Sequence, residues 1–220
     1  MCALGLLLLI SVSSTPALAA KATIKVAHAK PLPPILKELE DKYTQASTLL
    51  AEFTQVNETV ALKTKKTSTG VIMLKRPDKM RWETLKPDPN LLVSDGKSFW
   101  FYTPPFDESE HGQVIVRKSS EIQSRLANAL LAGSFSVARD MSIIQKDPNH
   151  FLIKPKPGTA GTVEQAEIEL DLGKKLIRRV TLEHKGGNRA EITLANIKLG
   201  EKLDDQAFSF TLPPNTDKVE

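Results

Sequence analysis

The chain has 220 residues, 30 Lys and Arg against 26 Asp and Glu, a net charge of +4 and one cysteine. The roughly 200 residues beyond an uncharged N-terminal stretch suit one domain. Charges of both signs are interspersed without aromatic-basic interleaving, which argues against a nucleic-acid partner. The only cysteine, Cys2, lies in the uncharged stretch, so disulfides, thiolate metal sites and cysteine nucleophiles are excluded from the rest.

Residues 1–20, MCALGLLLLISVSSTPALAA, carry no charge. Ala3 to Val12 is an apolar run of signal-peptide length, too short to span a bilayer. Ala17-Leu18-Ala19 is a small-x-small pattern, so a signal peptide is predicted over 1–19 with cleavage after Ala19. Its n-region lacks the usual Lys or Arg. Cys2 precedes the apolar run instead of following it, which argues against lipid attachment. Residues 20–34 are rich in Lys, Ala and Pro and read as a flexible extension, leaving 35–220 as the domain. No later segment is apolar over the length a membrane-spanning helix needs.

Pro34 suits the first turn of a helix, where its missing N–H costs nothing. Ile35, Leu36, Leu39, Tyr43, Ala46, Leu50 and Phe53 recur at steps of three and four, predicting an amphipathic helix as far as Phe53. From Phe53 the period becomes two, and Phe53 to Glu58 opens the first strand. Lys63 to Ser68 is polar and basic and reads as a loop or frayed hairpin end. Val71 to Lys75 is a strand stopped by Pro77. Lys79 to Glu83 alternates, with Met80 and Trp82 on one face. Leu91 to Ser94 and Lys97 to Tyr102 are strands joined at Asp95-Gly96, a strong hairpin signal. A polar excursion over 107–112 precedes a short strand from Val114 to Val116.

A second helix is predicted from Ile122 to Ala132, with Ile122, Leu126, Ala129, Leu130 and Gly133 along one side. Ser142 to Gln145 pairs with Phe151 to Lys154. Glu164 to Leu172, Leu176 to His184 and Arg189 to Leu199 are further strands, and Phe208, Phe210 and Leu212 alternate as a last one. Linking loops are short and no βαβ spacing recurs, so the sheet is predicted to be antiparallel. The fold class is α+β, a single curved antiparallel sheet with both helices on its concave, apolar face.

Motifs for catalysis are sparse. His28, His111, His150 and His184 lack a second histidine at metal spacing, and zinc needs three or four converging ligands. Asp107, Glu108, Glu110 and His111 cluster in one loop, without EF-hand or paired-acid spacing. A solvated loop is the simpler reading, and a secreted hydrolase the alternative. No G-x-S-x-G elbow exists. Gly186-Gly187-Asn188 is a hairpin turn without the Gly-Lys-Ser/Thr of a phosphate loop.

Arg76 is the unusual residue. If parity carries from Ile72 through Leu74, it shares their apolar face. Two readings stay open: a strand-end side chain snorkelling to water, or a five-donor fork placed to bond the carbonyls of a helix end. Met73, Met80, Trp82, Phe99, Trp100 and Phe101 likewise either fill a core or line a cavity.

Ordered landmarks carry a resemblance. Phe53-Thr54-Gln55 follows the first helix. Gly70 precedes the strand ending in Lys75-Arg76-Pro77, and Trp82 follows. Then come Leu92 to Lys97, Trp100-Phe101-Tyr102 with Pro104, and near the end Phe208-x-Phe210-Thr211-x-Pro213-Pro214. In this order, over roughly residues 35 to 217, the chain resembles the LolA family of periplasmic outer-membrane lipoprotein carriers. The resemblance implies an unclosed β-barrel with helices as a lid over a hydrophobic cavity, and no enzyme activity or cofactor. It implies triacylated lipoproteins as cargo, taken from an inner-membrane ABC transporter and passed to an outer-membrane lipoprotein receptor where one exists. It places the latch that holds the empty state closed at Arg76. It makes Ile72, Leu74, Met80, Trp82, Leu92, Phe99, Trp100, Phe101, Leu126 and Leu130 the expected ligand-binding lining, in a periplasmic monomer. Departures are the long extension over 21–34, the acidic loop over 103–113, and an end soon after Pro214 that leaves any additional terminal strand short or missing. Related half-barrels, receptor-like or sensor-like, are the nearest alternatives. A receptor would carry a lipobox cysteine after its apolar run, and a sensor a second domain.

Overall fold

The first helix, α1 (Pro34–Ala46), has proline at its start and buries Leu36, Leu39 and Tyr43 along one stripe. It ends at Ser47, whose φ of 63° is left-handed, a conformation that stops helical propagation. The helix therefore does not continue to Phe53. Leu49, Ala51 and Phe53 are buried at alternate positions in β1 (Thr48–Thr59). Leu50 and Phe53 also fit the helical spacing, but only period two buries all three of those residues against one surface. The computed structural model describes residues 31–107, 109–118, 125–135, 141–156 and 160–219. The expected signal peptide and most of the extension lie outside them, as does Ile122.

The remaining elements are β2 (Thr64–Lys75), β3 (Lys79–Lys86), β4 (Asn90–Asp95), β5 (Ser98–Thr103), β6 (Gly112–Lys118), α2 (Arg125–Leu131), β7 (Ser142–Gln145), β8 (His150–Lys154), β9 (Val163–Asp171), β10 (Leu176–His184), β11 (Arg189–Leu199), a 3-10 turn (Asp205–Phe208) and β12 (Thr216–Val219). The strands form one sheet in the order β12-β6-β5-β4-β3-β2-β1-β11-β10-β9-β8-β7. β12 and β7 are its two edges, so the curved sheet is an unclosed barrel. Each pair is antiparallel except β12 with β6. Both helices cover its concave, apolar face, and the fold is α+β.

Two further expectations change. Of the two readings of Lys63 to Ser68, a loop or a frayed hairpin end, the loop is wrong: the segment is a hairpin end and is paired from Thr64 onward as the first half of β2, with Lys66 opposite Asn57 and Lys65 opposite Glu58. Main-chain pairing continues past the end of the core, where apolar side chains are not needed. The alternation of Phe208, Phe210 and Leu212 is not a strand. Phe208 closes the 3-10 turn and is buried, and Phe210 packs on Trp100 and Tyr102 at ring separations of 6.2 and 5.6 Å. The segment lies across the convex face beside buried Val93 and Val114, so its period two reflects one-sided coverage of that face. The additional terminal strand exists and is short: β12 runs parallel to β6 from Thr216 opposite Gly112 to Val219 opposite Ile115.

Candidate functional site

The wall of the site follows from register. Ile72 stands opposite Trp82, Trp82 opposite Leu92, and Leu92 opposite Phe101; in the next row Leu74, Met80, Ser94 and Phe99 are successive partners. Directly opposed residues share a face, so seven of the expected lining residues lie together beneath the helices. Trp100 does not. It pairs with Val93 and Val116, the opposite parity, and stacks on Phe210 outside. Period two separates it from Phe99 and Phe101 by one step. Gly70 makes the wall possible: a Cβ there would sit 2.8 Å from the Phe53 ring and 1.9 Å from Glu83 O. Its absence lets Phe53 reach across to Trp82, with ring centroids 4.3 Å apart. Leu126 and Leu130 of α2 are buried in the same apolar cluster as Ile72, Leu74 and Met80, while Ala127, Asn128 and Leu131 are the α2 residues that line the smaller cavity with Trp82, Leu92, Phe99 and Phe101.

Two cavities flank α2. The larger, about 780 Å³, has Tyr43, Leu49, Leu74, Met80, Ala129 and Ala132 as its apolar part and Lys75, Arg76, Lys79, Lys97 and Lys118 among its polar lining. The smaller, about 450 Å³, is walled by Trp82, Leu92, Phe99, Phe101, Leu131 and Ile192. Met80 and Asn128 line both, so the two spaces adjoin beneath the helix.

Arg76 bonds the end of α2. Its backbone N–H donates to Ser47 O at 2.9 Å, and its Nη2 donates to Ala132 O at 2.7 Å. The geometry of α2 explains why that carbonyl is available. Gly133, at φ +63°, turns the chain into the left-handed region. Gly133 N–H then bonds Leu130 O at 3.0 Å and Ser134 N–H bonds Ala129 O at 2.8 Å. This is the Schellman closure, which satisfies two of the orphan carbonyls at a helix end. The last carbonyl before Gly133, Ala132 O, receives the guanidinium, at the negative end of the helix dipole.

α1 grips the same turn. Glu40 Oε1 accepts the Phe135 N–H at 2.9 Å and Tyr43 Oη accepts the Ile177 N–H at 3.0 Å, both in buried surroundings. Burial pushes the Tyr43 hydroxyl up to about 12, against the opposing effect of the Ile177 N–H bond. A Cβ on Gly133 would lie 2.5 Å from the Tyr43 ring. Glu40, Tyr43, Asn128 and Gly133 were not among the residues expected at the site. Glu40 carried a signal, since it occupies the Leu36, Leu39, Tyr43 stripe as an acid. Gly133 carried a weaker one, a glycine just past a predicted helix.

Glu108 lies outside the described residues, and the described residues of the acidic loop do not assemble a catalytic cluster. Asp107 Oδ1 accepts both the N–H and O–H of Ser109, while His111 Nδ1 lies 3.3 Å from the Asp217 carboxylate on β12. Among the described residues no three His, Cys, Asp or Glu side chains converge as metal ligands, and none of their helices is long and apolar enough to cross a membrane.

The family profile described as "Outer membrane lipoprotein carrier protein LolA" matches residues 44–211. A protein of Pseudomonas aeruginosa named outer-membrane lipoprotein carrier protein is 28% identical over 189 residues, covering 84% of this chain and 87% of that one. One of the same name from Vibrio parahaemolyticus is 31% identical over 144 residues, covering 66% and 65%. The crystal structure of a LolA superfamily protein from Nitrosomonas europaea aligns with a TM-score of 0.48 at 10% identity, over 80% of this chain and 96% of that one. With the family profile spanning most of its length, the chain belongs to the LolA family.

Proposed function

We propose that the chain is a periplasmic lipoprotein carrier and not an enzyme. It shields the acyl chains of triacylated lipoproteins against the wall formed by Ile72, Leu74, Met80, Trp82, Leu92, Phe99 and Phe101, beneath Leu126 and Leu130. It takes cargo from an inner-membrane ABC transporter and delivers it to the outer membrane, through a receptor where one exists. The observation that supports this reading is the Arg76 to Ala132 bond at the edge of the larger of two adjoining cavities, the smaller of which is walled by apolar and aromatic side chains.

The energetics suit transient holding. Each buried methylene contributes about 0.8 kcal/mol, so several acyl chains in an open, preformed groove would leave slowly. Here the lid covers its own apolar wall when empty, and ligand must displace it. That competition weakens net binding in proportion to the population of the closed state. A hydrogen bond to a charged donor contributes about 1.5–3 kcal/mol when well shielded, and less at the half-exposed Arg76. It is strong enough to bias the lid and weak enough to break.

The test is release and hand-off of a lipoprotein by the purified protein, followed for wild type and Arg76→Leu. Wild type is expected to co-purify with triacylated lipoprotein, seen by mass spectrometry. Arg76→Leu is expected to load and then transfer on the order of tenfold more slowly, one latch bond of about 1.4 kcal/mol being a tenfold shift. Unchanged transfer kinetics would overturn the latch. Repeated recovery of empty protein with the donor transporter present would overturn the carrier reading.

A further inference from the structure

The two cavities beneath α2 differ in charge. The larger is lined by five cations, Lys75, Arg76, Lys79, Lys97 and Lys118, and by one carboxylate, Asp78. The smaller has Lys66 and Asp88, which pair with each other. Two of the five cations are already matched from the convex side: Lys75 Nζ lies 2.7 Å and Lys79 Nζ 3.1 Å from Asp205 Oδ1. Lys118 forms no ion pair among the described residues, and Arg76 is engaged only with a neutral carbonyl. Lys97 makes none at contact distance, although, against the opposing effect of burial and after the main-chain N–H bonds of Ser98 and Lys97, its charge is near enough to help hold the Asp95 carboxyl below its usual value. Lys97 follows the Asp95-Gly96 turn between β4 and β5, and Lys118 stands opposite Ser98 at the end of β6. Both therefore come to the Arg76 end of the wall. Like charges gathered at a cavity mouth repel one another and draw an anion in.

We infer that this end of the site takes the acidic headgroup of an amphiphile, a phosphate-bearing lipid headgroup next to an acyl tail. The headgroup phosphate sits between Lys97, Lys118 and Arg76. The tail passes Met80 and Asn128, which the cavities share, and ends against Trp82, Phe99 and Phe101. The site is polarised: charge at one end, aromatic surface at the other. The phosphate and Ala132 O compete for the same guanidinium donors, so an acidic headgroup loosens the end of α2 as its tail slides beneath it. A neutral amphiphile offers the same tail without that competition, and a zwitterionic phosphate, which carries its own cation beside it, competes more weakly. The inference rests on the carrier reading for the acyl tail and adds the choice of headgroup.

The experiment is binding of single lipids to the whole protein, below their micelle concentrations, by native mass spectrometry and by Trp fluorescence titration. The probes are palmitoyl lysophosphatidylglycerol, palmitoyl lysophosphatidylcholine, inorganic phosphate, and vesicles of phosphatidylglycerol. The glycerol lipid is expected to bind about tenfold tighter than the choline lipid, a preference worth about 1.4 kcal/mol. The preference should disappear in the Lys97→Gln/Lys118→Gln double variant and shrink in 0.5 M salt, where exposed charges are screened. Both lysines are exposed, and a melting curve checks that the double variant is folded; the salt series on wild type needs no variant. Equal affinity for the two lipids overturns the inference. So does saturable phosphate binding as tight as that of the lipid, which marks a free-anion site, or vesicle binding without uptake of single lipids, which marks a membrane-docking face. A protein that transfers lipoprotein and binds both lysolipids equally loses this inference alone. One that discriminates the lysolipids and fails to transfer loses the shuttle and keeps it.

Discussion

The two helices on the concave face are held in different ways. α1 has 13 residues, and its Glu40 and Tyr43 reach main-chain N–H groups of Phe135 and Ile177 from buried positions. α2 has seven residues, is closed by a glycine turn, and is tied to the sheet through Arg76 at the edge of a cavity. A buried hydrogen bond is out of reach of ligand, and its loss leaves an unsatisfied group that costs more than the bond itself contributes. A cavity-edge bond to a charged donor can be taken over by an incoming group. In the proposed function α1 is the anchor and α2 the part that yields.

The comparison can be broken at four places. Gly133→Ala has the largest expected effect. It adds a Cβ 2.5 Å from Tyr43 at a positive φ, destabilising by about 3 kcal/mol, which a urea titration measures. Glu40→Ala leaves the buried Phe135 N–H without its acceptor and is expected to cost about 2 kcal/mol, read from the same titration. Tyr43→Phe is expected to cost about 1 kcal/mol at neutral pH, with a distinct alkaline signature. The folded hydroxyl titrates near 12 and the unfolded one near the ordinary value of about 10. The raised value stabilises the fold fully below pH ~10 and is lost as pH rises through 12. The wild type should therefore lose its advantage over Tyr43→Phe across that window; a constant difference between the two would refute the buried assignment. Arg76→Leu is expected to change stability least, by under about 1 kcal/mol, while changing transfer most. A melting-temperature loss as large as that of Glu40→Ala would make Arg76 a structural bond like those of α1.

How much of this was legible before the coordinates depends on whether a local pattern had a rival. Asp95-Gly96 had none, and its hairpin stands where expected, as does the pairing of β7 with β8. Leu50 and Phe53 satisfied two periods at once, and only Ser47 decided between them, through a backbone angle that serine does not advertise. The wall residues followed from parity within each strand, and the same parity sets Trp100 apart from Phe99 and Phe101; the register of β5 against β4 shows which face is the wall. Phe208 and Phe210 looked like a strand because any chain lying on a flat apolar surface buries alternate residues. The bond from Arg76 to Ala132 joins positions 56 residues apart, a distance in sequence over which no local pattern operates.

β12 has a consequence for assembly. Its four residues occupy the outer main-chain groups of β6 along Gly112 to Ile115, and an unoccupied strand margin is a template for pairing with another molecule. By folding its own tail into that position, the chain supplies a self-made stopper, leaving the four-residue β7 as the other margin. In the proposed carrier the greasy wall is uncovered while the lid is open, and clumping is most favoured at that moment. A covered flank keeps one route to polymerisation shut regardless of what the lid is doing.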